Sequence, residues 1–253
     1  MINVLVLLAI LLFVLMKLIG GEKGTRSFIA LLFNFAILFC TILLLTLNQS
    51  PLLITFGACI LISCINLFYI NGWSVKTISA FIATLLTLLF SLIFVFLASY
   101  HTHTQGFGME EIEELGAFSL YVDINFIQIG ICAIIMGMIG AITDTAMAIA
   151  SAMNEVFLHN SDISRTKLIK SGMTIVKDIL GTTTNTLFFA FLGSYLALII
   201  WFTDLSYSFG RIINSKVFAS EAISIFCIGI SAVLIIPITA IIMAYYLTKK
   251  KKP

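Results

Sequence analysis

The sequence predicts an all-α, polytopic transmembrane helix bundle of about seven helices. Hydrophobic residues make up 60% of the 253 residues and charged residues only 10%, against about 25% charged in a soluble domain. Five stretches contain no Asp, Glu, Lys or Arg: 27–75, 77–109, 124–143, 179–203 and 222–248. Each can supply at least one apolar span of roughly 20 residues. The composition excludes a water-soluble fold, and residues 1–253 are expected to form one domain in a lipid bilayer.

The predicted helices cover residues 2–19, 27–47, 52–71, 78–99, 125–153, 179–203 and 220–247. The first has sixteen uncharged residues before Lys17, and it lacks the basic start and the small-residue cleavage site of a signal peptide. It is therefore expected to be retained. If it lies at the interface instead of spanning, the bundle has six helices.

Lysine and arginine in the short connections predict the orientation. With the C-terminus in the cytoplasm, 12 of the 14 basic residues lie inside, and only Arg211 and Lys216 lie outside. The prediction is N-out and C-in. Residues 100–124 then form an external acidic loop, and residues 154–178 form a cytoplasmic amphipathic connection.

Several classes of function have no supporting motif. No Walker-type loop, HExxH or GxSxG occurs, so no enzyme is expected. The five cysteines lie in apolar segments without CxxC spacing, and the net charge of +2 is too small to indicate nucleic acid. His101 and His103 precede glutamates between 110 and 114, but such a run is more commonly a solvated turn. No metal site or cofactor is predicted.

One polar line runs along the segment 125–153. Steps of three and four residues give Ala133, Gly137, Gly140, Asp144, Ala148, Ser151 and Glu155, all small or polar. Asp144 and Glu155 lie within about 20° of each other around the helix. Because small residues let another helix approach closely, this helix-packing face is expected to be buried in protein.

Asp144 has two interpretations. It marks the cytoplasmic boundary if the span is the twenty uncharged residues after Asp123. Alternatively, the helix continues to Glu155, which places Asp144 about 16 Å inside. An ionisable group at that depth usually marks an ion or substrate pathway.

The next span offers possible partners for Asp144. Asp178, Thr182 and Asn185 share one face, and Asn185 lies about 10 Å in from Asp178. Asn185 and Asp144 are therefore predicted to meet at similar depth. Helix capping and helix-to-helix hydrogen bonding also explain such a polar start.

A resemblance rests on the second half of the chain. Residues from about 130 to 245, with GMIGAITDTAMAIASAMNEV, ISRTKLIKSGMTIVKDILGTTTNTL and IPITA, resemble the bacterial YibE/F family of membrane proteins. The match is weaker over the first four helices. The chain is similar to the shorter type that lacks an external domain. The resemblance implies a multi-pass protein of the bacterial plasma membrane that forms an oligomer with itself or with a homologous YibE/F protein.

A more distant similarity links Asp144-Thr145, the amphipathic connection and Thr-Asn-Thr to the membrane half of SecD/SecF and resistance-nodulation-division proteins. It implies proton coupling through Asp144. No Lys or Arg lies within a span to pair with this carboxylate, so a proton or a sodium ion would have to neutralise it.

Two functional hypotheses follow. The first is a permease-like subunit in which Asp144, with Thr182, Asn185, Glu155 and Asp178 as further candidates, couples transport to an ion; its substrate is unknown. The second is a non-transporting assembly subunit that pairs with a larger homologous protein. In the second, the small-residue face is an assembly surface only.

The predicted orientation can be tested by thiol labelling of intact cells. Gly106→Cys is expected to react with a membrane-impermeant reagent, because residue 106 lies in an external loop. Ser164→Cys is expected to stay unlabelled until the cells are opened, and the native chain reports the background from its own cysteines. The reverse pattern contradicts the N-out, C-in orientation.

Overall fold

The computed structural model describes residues 3–45, 50–106, 108 and 125–249, apart from the side chains of residues 178 and 179. Every regular element in these ranges is helical. In chain order they are α1 (Val4–Leu45), α2 (Pro51–Cys64, continued by a π-helical turn, Ile65–Tyr69), α3 (Val75–Thr102), α4 (Phe126–His159), α5 (Arg165–Ser194), α6 (Leu196–Asp204), α7 (Phe209–Ile213) and α8 (Lys216–Lys249).

Five of these helical stretches are long and apolar enough to cross a membrane: α1, α2 with its π-helical turn, α3, α4 and α8. A sixth span arises if α5 and α6, which meet at an angle of 46°, are counted together. The predicted polytopic helical bundle is confirmed. The N-out, C-in orientation stays a prediction.

Helix α1, the first of these stretches, is a helical hairpin. Gly21 has φ 57° and ψ −132°, in the left-handed region that glycine adopts without strain. The ring centroids of Phe13 and Phe28 are 5.0 Å apart, whereas residues fifteen apart in a straight helix are separated by about 22 Å. The chain therefore doubles back at Gly21, and residues 4–20 and 22–45 correspond to the first two predicted helices.

The core of the bundle is formed by α3, α4 and α8. The inward face of α4 carries large apolar residues, among them Ile135, Met138, Ile142, Ile149 and Met153. The facing residues of α3 and α8 are mostly small or carry hydroxyl groups: Ser79, Ala80, Ala83, Thr84, Thr87 and Ser91 on α3, and Cys227, Ser231, Ala232, Thr239, Ala240 and Ala244 on α8. Large side chains of α4 thus fill space left by small ones on its neighbours.

The helix directions follow from contacts at the two ends. Gln105, just after α3, lies against Gly130 near the start of α4, and both line a cleft with Lys216 at the start of α8. At the opposite end, Arg165 at the start of α5 lies over the ring of Tyr245 near the end of α8. Accordingly, α4 and α8 run parallel, and α3 and α5 run antiparallel to them.

Several helix boundaries differ from the prediction. The predicted helix 125–153 ends at His159, and the predicted helix 220–247 begins at Lys216. The predicted connection 154–178 is not a separate element, because α5 begins at Arg165 and continues to Ser194. One side of α5 is buried at Leu168, Gly172 and Val176. These packing contacts stabilise the helix along the stretch that contains the charged residues. Most of the predicted external loop, residues 109–124, lies outside the described residues.

The hairpin at Gly21 predicts that Gly24 tolerates no side chain. A Cβ atom at Gly24 would overlap the backbone carbonyl of Met16, whereas one at Gly20 would meet nothing within 4 Å. Gly24→Val should lower the free energy of unfolding by about 1–3 kcal/mol, as overpacking does. Thermal unfolding in detergent measures the effect with Gly20→Val as the control. Equal stability of both variants would contradict the hairpin.

Candidate ion-coupling site

Asp144 lies near the middle of α4, and a hydrogen-bonded layer of the core fixes its depth. The hydroxyl groups of Ser91 on α3 and Ser231 on α8 are 3.0 Å apart, and the Ser231 Oγ atom lies 3.5 Å from the Sδ atom of Met138 on α4. These three residues are therefore at one level. Asp144 lies six residues further along α4, about 9 Å towards the end at which α3 begins.

The start of α3 provides a second reference level. Ser74 caps this helix through a reciprocal capping box with Thr77, and Val75 is sixteen residues from Ser91, or about 24 Å. The same distance from Met138 along the antiparallel α4 reaches Asn154. Asp144 thus lies about 15 Å deeper in the bundle than the first turn of α3. This depth favours the intramembrane interpretation over the boundary interpretation.

The environment of Asp144 differs from the prediction. Its side chain is exposed on the isolated chain, and it forms no hydrogen bond or ion pair within the described part of the structure. The face around it is also open: Ala133, Gly137 and Glu155 are exposed, and Gly140, Ala148 and Ser151 are half-buried. The described part of this chain does not cover the small-residue face, and its burial in protein stays a prediction. The large apolar residues on the opposite side of α4 form the core contact instead.

The predicted contacts from the following helix are only partly formed. Helices α4 and α5 do pack, since Gly172 on α5 lies against the side chain of Met153 on α4. This contact puts Thr182 at nearly the same level as Asp144, but Asp144 hydrogen-bonds neither Thr182 nor Asn185, and both side chains are exposed. The side chain of Asp178 lies outside the described residues.

The path of α5 explains the missing contact. Beyond Gly172, α5 follows α8 more than α4, and a cavity of about 380 Å³ lies between Thr184 and Leu187 on α5 and Gly229 and Val233 on α8. The part of α5 around Thr184 therefore runs beside α8, and no helix among the described residues covers the open face of α4 at the level of Asp144.

The bundle also has a polar layer at this depth that sequence patterns did not identify. Thr84 and Thr87 on α3 are fully buried, and their Oγ1 atoms have no hydrogen-bond partner among the described residues. Thr143 and Thr145 on α4 are buried near the same level. The regular spacing of hydroxyl and small residues along α3 is the signal that could have revealed this layer.

A second polar contact missed from the sequence lies at the other end of the bundle. The Tyr195 hydroxyl, where α5 meets α6, interacts with the Glu221 carboxylate in α8. Glu221 also lines a cleft of about 280 Å³ with Lys216 and Gln105. Because α8 begins at Lys216, Glu221 lies inside the helix.

Comparison with known proteins identifies the family. Residues 8–249 match the family described as YibE/F-like protein. The chain belongs to the YibE/F family. No curated protein and no solved structure matches it. The match covers the helices α1 to α8 of the described residues apart from the first residues of α1, so the first four predicted helices also belong to the family region. The more distant similarity to SecD/SecF and resistance-nodulation-division proteins is not shown and stays a prediction.

Two neighbouring glycines on α4 are predicted to respond differently to a bulky substitution. A Cβ atom at Gly137 would come within 3.1 Å of Ile228 on α8, whereas one at Gly140 would meet nothing within 4 Å. Gly137→Leu should therefore lower the thermal stability of the monomer in detergent, by about 1–3 kcal/mol. Gly140→Leu should leave it unchanged, and destabilisation by Gly140→Leu would show that the face is covered within one chain.

Proposed function

We propose that this YibE/F chain is a permease-like membrane subunit in which Asp144 couples transport to the binding and release of a proton or a sodium ion. The observation that carries the proposal is the isolation of this carboxyl group. It lies about 15 Å deeper than the start of α3, and it has no ionic or hydrogen-bonding partner in the described structure. A carboxylate left alone at such depth is expensive, so an exchangeable cation is a fitting partner.

The polar layer supports an ionic role for this depth. The unpartnered hydroxyl groups of Thr84 and Thr87 lie on the core side of α4, and Asp144 lies on its outer side. Hydroxyl groups both donate and accept hydrogen bonds, so they suit water or a migrating proton. The membrane is proposed to be the bacterial plasma membrane, as the bacterial YibE/F resemblance implies.

The coupling proposal can be tested without knowing the substrate. Dicyclohexylcarbodiimide reacts with protonated carboxyl groups in apolar surroundings, and mass spectrometry of proteolytic peptides from the reconstituted protein locates the modification. We expect labelling of Asp144 that falls as the pH rises, with protection by Na⁺ but not by K⁺ if sodium is the coupling ion. Asp144→Asn should remove the label, and Glu155→Gln should retain it as the matched control.

Two outcomes would contradict the coupling proposal. One is an absence of labelling at Asp144 at every pH, in protein that retains its helical content. The other is a labelled Asp144 whose replacement by Asn leaves proton and sodium flux into proteoliposomes unchanged. Because Asn preserves the shape of the side chain, a loss of flux in Asp144→Asn is attributable to the lost titration.

A second candidate function is assembly without transport. The observation that favours it is the uncovered small-residue face, on which a Cβ atom at Gly140 meets no atom of this chain within 4 Å. Small residues permit close helix contact in lipid, so a second copy or a homologous YibE/F protein would fit there. In this case Asp144 would lie at the contact between the two chains, and pairing would not depend on its charge.

The assembly role makes a separate prediction. Gly140→Leu should abolish the pairing of two differently tagged copies, or of this chain with a co-expressed larger YibE/F protein, because the bulky side chain holds the helices apart. Asp144→Asn should leave the pairing intact. Co-purification from mild detergent measures both. Loss of ion flux in Asp144→Asn together with unimpaired pairing in Gly140→Leu would favour coupling and reject assembly through this face.

A further inference from the structure

A cleft of about 680 Å³ lies at the turn between α4 and α5. Its wall is one face of the first turns of α5, formed by Ser164, Lys167, Lys170, Ser171 and Thr174. These residues are spaced three or four apart, as the neighbours on one helix face are. The opposite face of α5 packs on α4 through Leu168 and Gly172. Packing against the bundle therefore holds the polar face outward in a fixed direction.

The cleft has an excess of positive charge. Neither Lys167 nor Lys170 forms an ion pair within the part of the chain that the structure describes. Asp162 is the one carboxylate among the lining residues, and it has an interaction of its own. Arg165 contributes to a different surface, because its guanidinium lies 4.7 Å from the ring centroid of Tyr245. The cleft thus carries two lysines against one acid.

Hydrogen-bond donors accompany the two lysines. Ser164 stands at the N-cap position of α5, but its side chain makes no capping hydrogen bond. Ser171 likewise uses its hydroxyl group in no hydrogen bond to a described residue. Two ammonium groups and two uncommitted hydroxyl groups around one cavity match the oxygens of a phosphate ester, which accept several charge-assisted hydrogen bonds at once.

The cleft lies at the level at which α3 begins. Gly172 contacts Met153, which lies within one residue of the level of Val75 at the start of α3. Lys170 is two residues from Gly172, or about 3 Å along the helix axis. Basic pockets at this depth on the cytoplasmic side are well placed for the head groups of anionic lipids. A cavity of about 680 Å³ also exceeds what a bare phosphate ion needs.

We propose that this cleft binds a phosphate ester, held by Lys167 and Lys170 with Ser164 and Ser171, and that the anionic phospholipid head group at the cytoplasmic surface is its source. The site is independent of Asp144 and of the coupling proposal. It would anchor the first turn of α5 to the bilayer surface.

The test compares lipids and soluble phosphates on the purified full chain. Native mass spectrometry and thermal unfolding in detergent are measured with added phosphatidylglycerol, phosphatidylcholine, glycerol phosphate or inorganic phosphate. We expect phosphatidylglycerol to bind and stabilise the chain more than phosphatidylcholine does. If glycerol phosphate binds at the cleft as tightly as the lipid does, the acyl chains contribute nothing, the source is a soluble phosphate ester, and the phospholipid assignment is overturned.

The variants test whether the cleft itself is responsible. Lys167→Gln with Lys170→Gln should weaken phosphatidylglycerol binding by at least about tenfold, because each substitution removes a charge-assisted hydrogen bond from an ammonium group to the phosphate oxygens. Lys76→Gln with Lys177→Gln removes the same charge outside the cleft and should change binding less than about twofold. Lys167→Arg with Lys170→Arg should retain binding. This result would show that a chain substituted at both positions still folds.

Two results would overturn the site. If the cleft variant binds phosphatidylglycerol as tightly as the native chain, the lysines are not ligands. If the cleft pair and the control pair lose the same affinity, the effect is general surface charge and no specific cleft is involved.

Discussion

Close packing of α4 against small and hydroxyl residues of α3 and α8 is the constraint on which the rest of the structure depends. Apolar side chains gain little by leaving lipid for a protein core, so helix association in a bilayer relies on close contact and interhelical hydrogen bonds. The buried Ser91 and Ser231 pair and the fully buried Met138 beside it join the three helices at one level. The depths of Asp144, of the threonine layer and of the phosphate-ester cleft are all defined relative to that level.

The sequence was sufficient for the class of fold and for the positions of most spans. Moving an ion into lipid is costly, so spans lack charged residues and basic residues lie in the connections. Both patterns can be recognised in the sequence without a structure. The fold-back at Gly21 was also anticipated, since the charged residues between positions 17 and 26 separate two apolar segments. Family membership, suggested by the second half of the chain, extends over residues 8–249.

The inward face of α4 could not be predicted in the same way. The small residues on α4 predict a packing face, but the small residues that line the core against α4 belong mainly to α3 and α8, and α4 supplies large ones such as Ile142 and Ile149. Lipid and protein interior are equally apolar, so hydrophobicity alone does not distinguish the two faces of a spanning helix. The path of α5 likewise depends on which helix faces pack together, and hydrophobicity does not specify this. The sequence therefore could not predict that α5 leaves Thr182 and Asn185 without a hydrogen bond to Asp144.

The hairpin of α1 has a further consequence for the surrounding lipid. Residues 4–20 are exposed except for the half-buried Phe13 and Met16, so this segment is held mainly by its contact with the second arm. Its described uncharged part, residues 4–16, is helical, and thirteen helical residues extend about 20 Å, less than the roughly 30 Å of a typical hydrocarbon core. Such a mismatch is relieved by local bilayer thinning and by long side chains reaching for the interface, and Lys17 lies beside the Phe13 ring, 6.0 Å from its centroid. Bilayer thickness would therefore act on this edge of the protein first, through an arm that makes no contribution to the buried core.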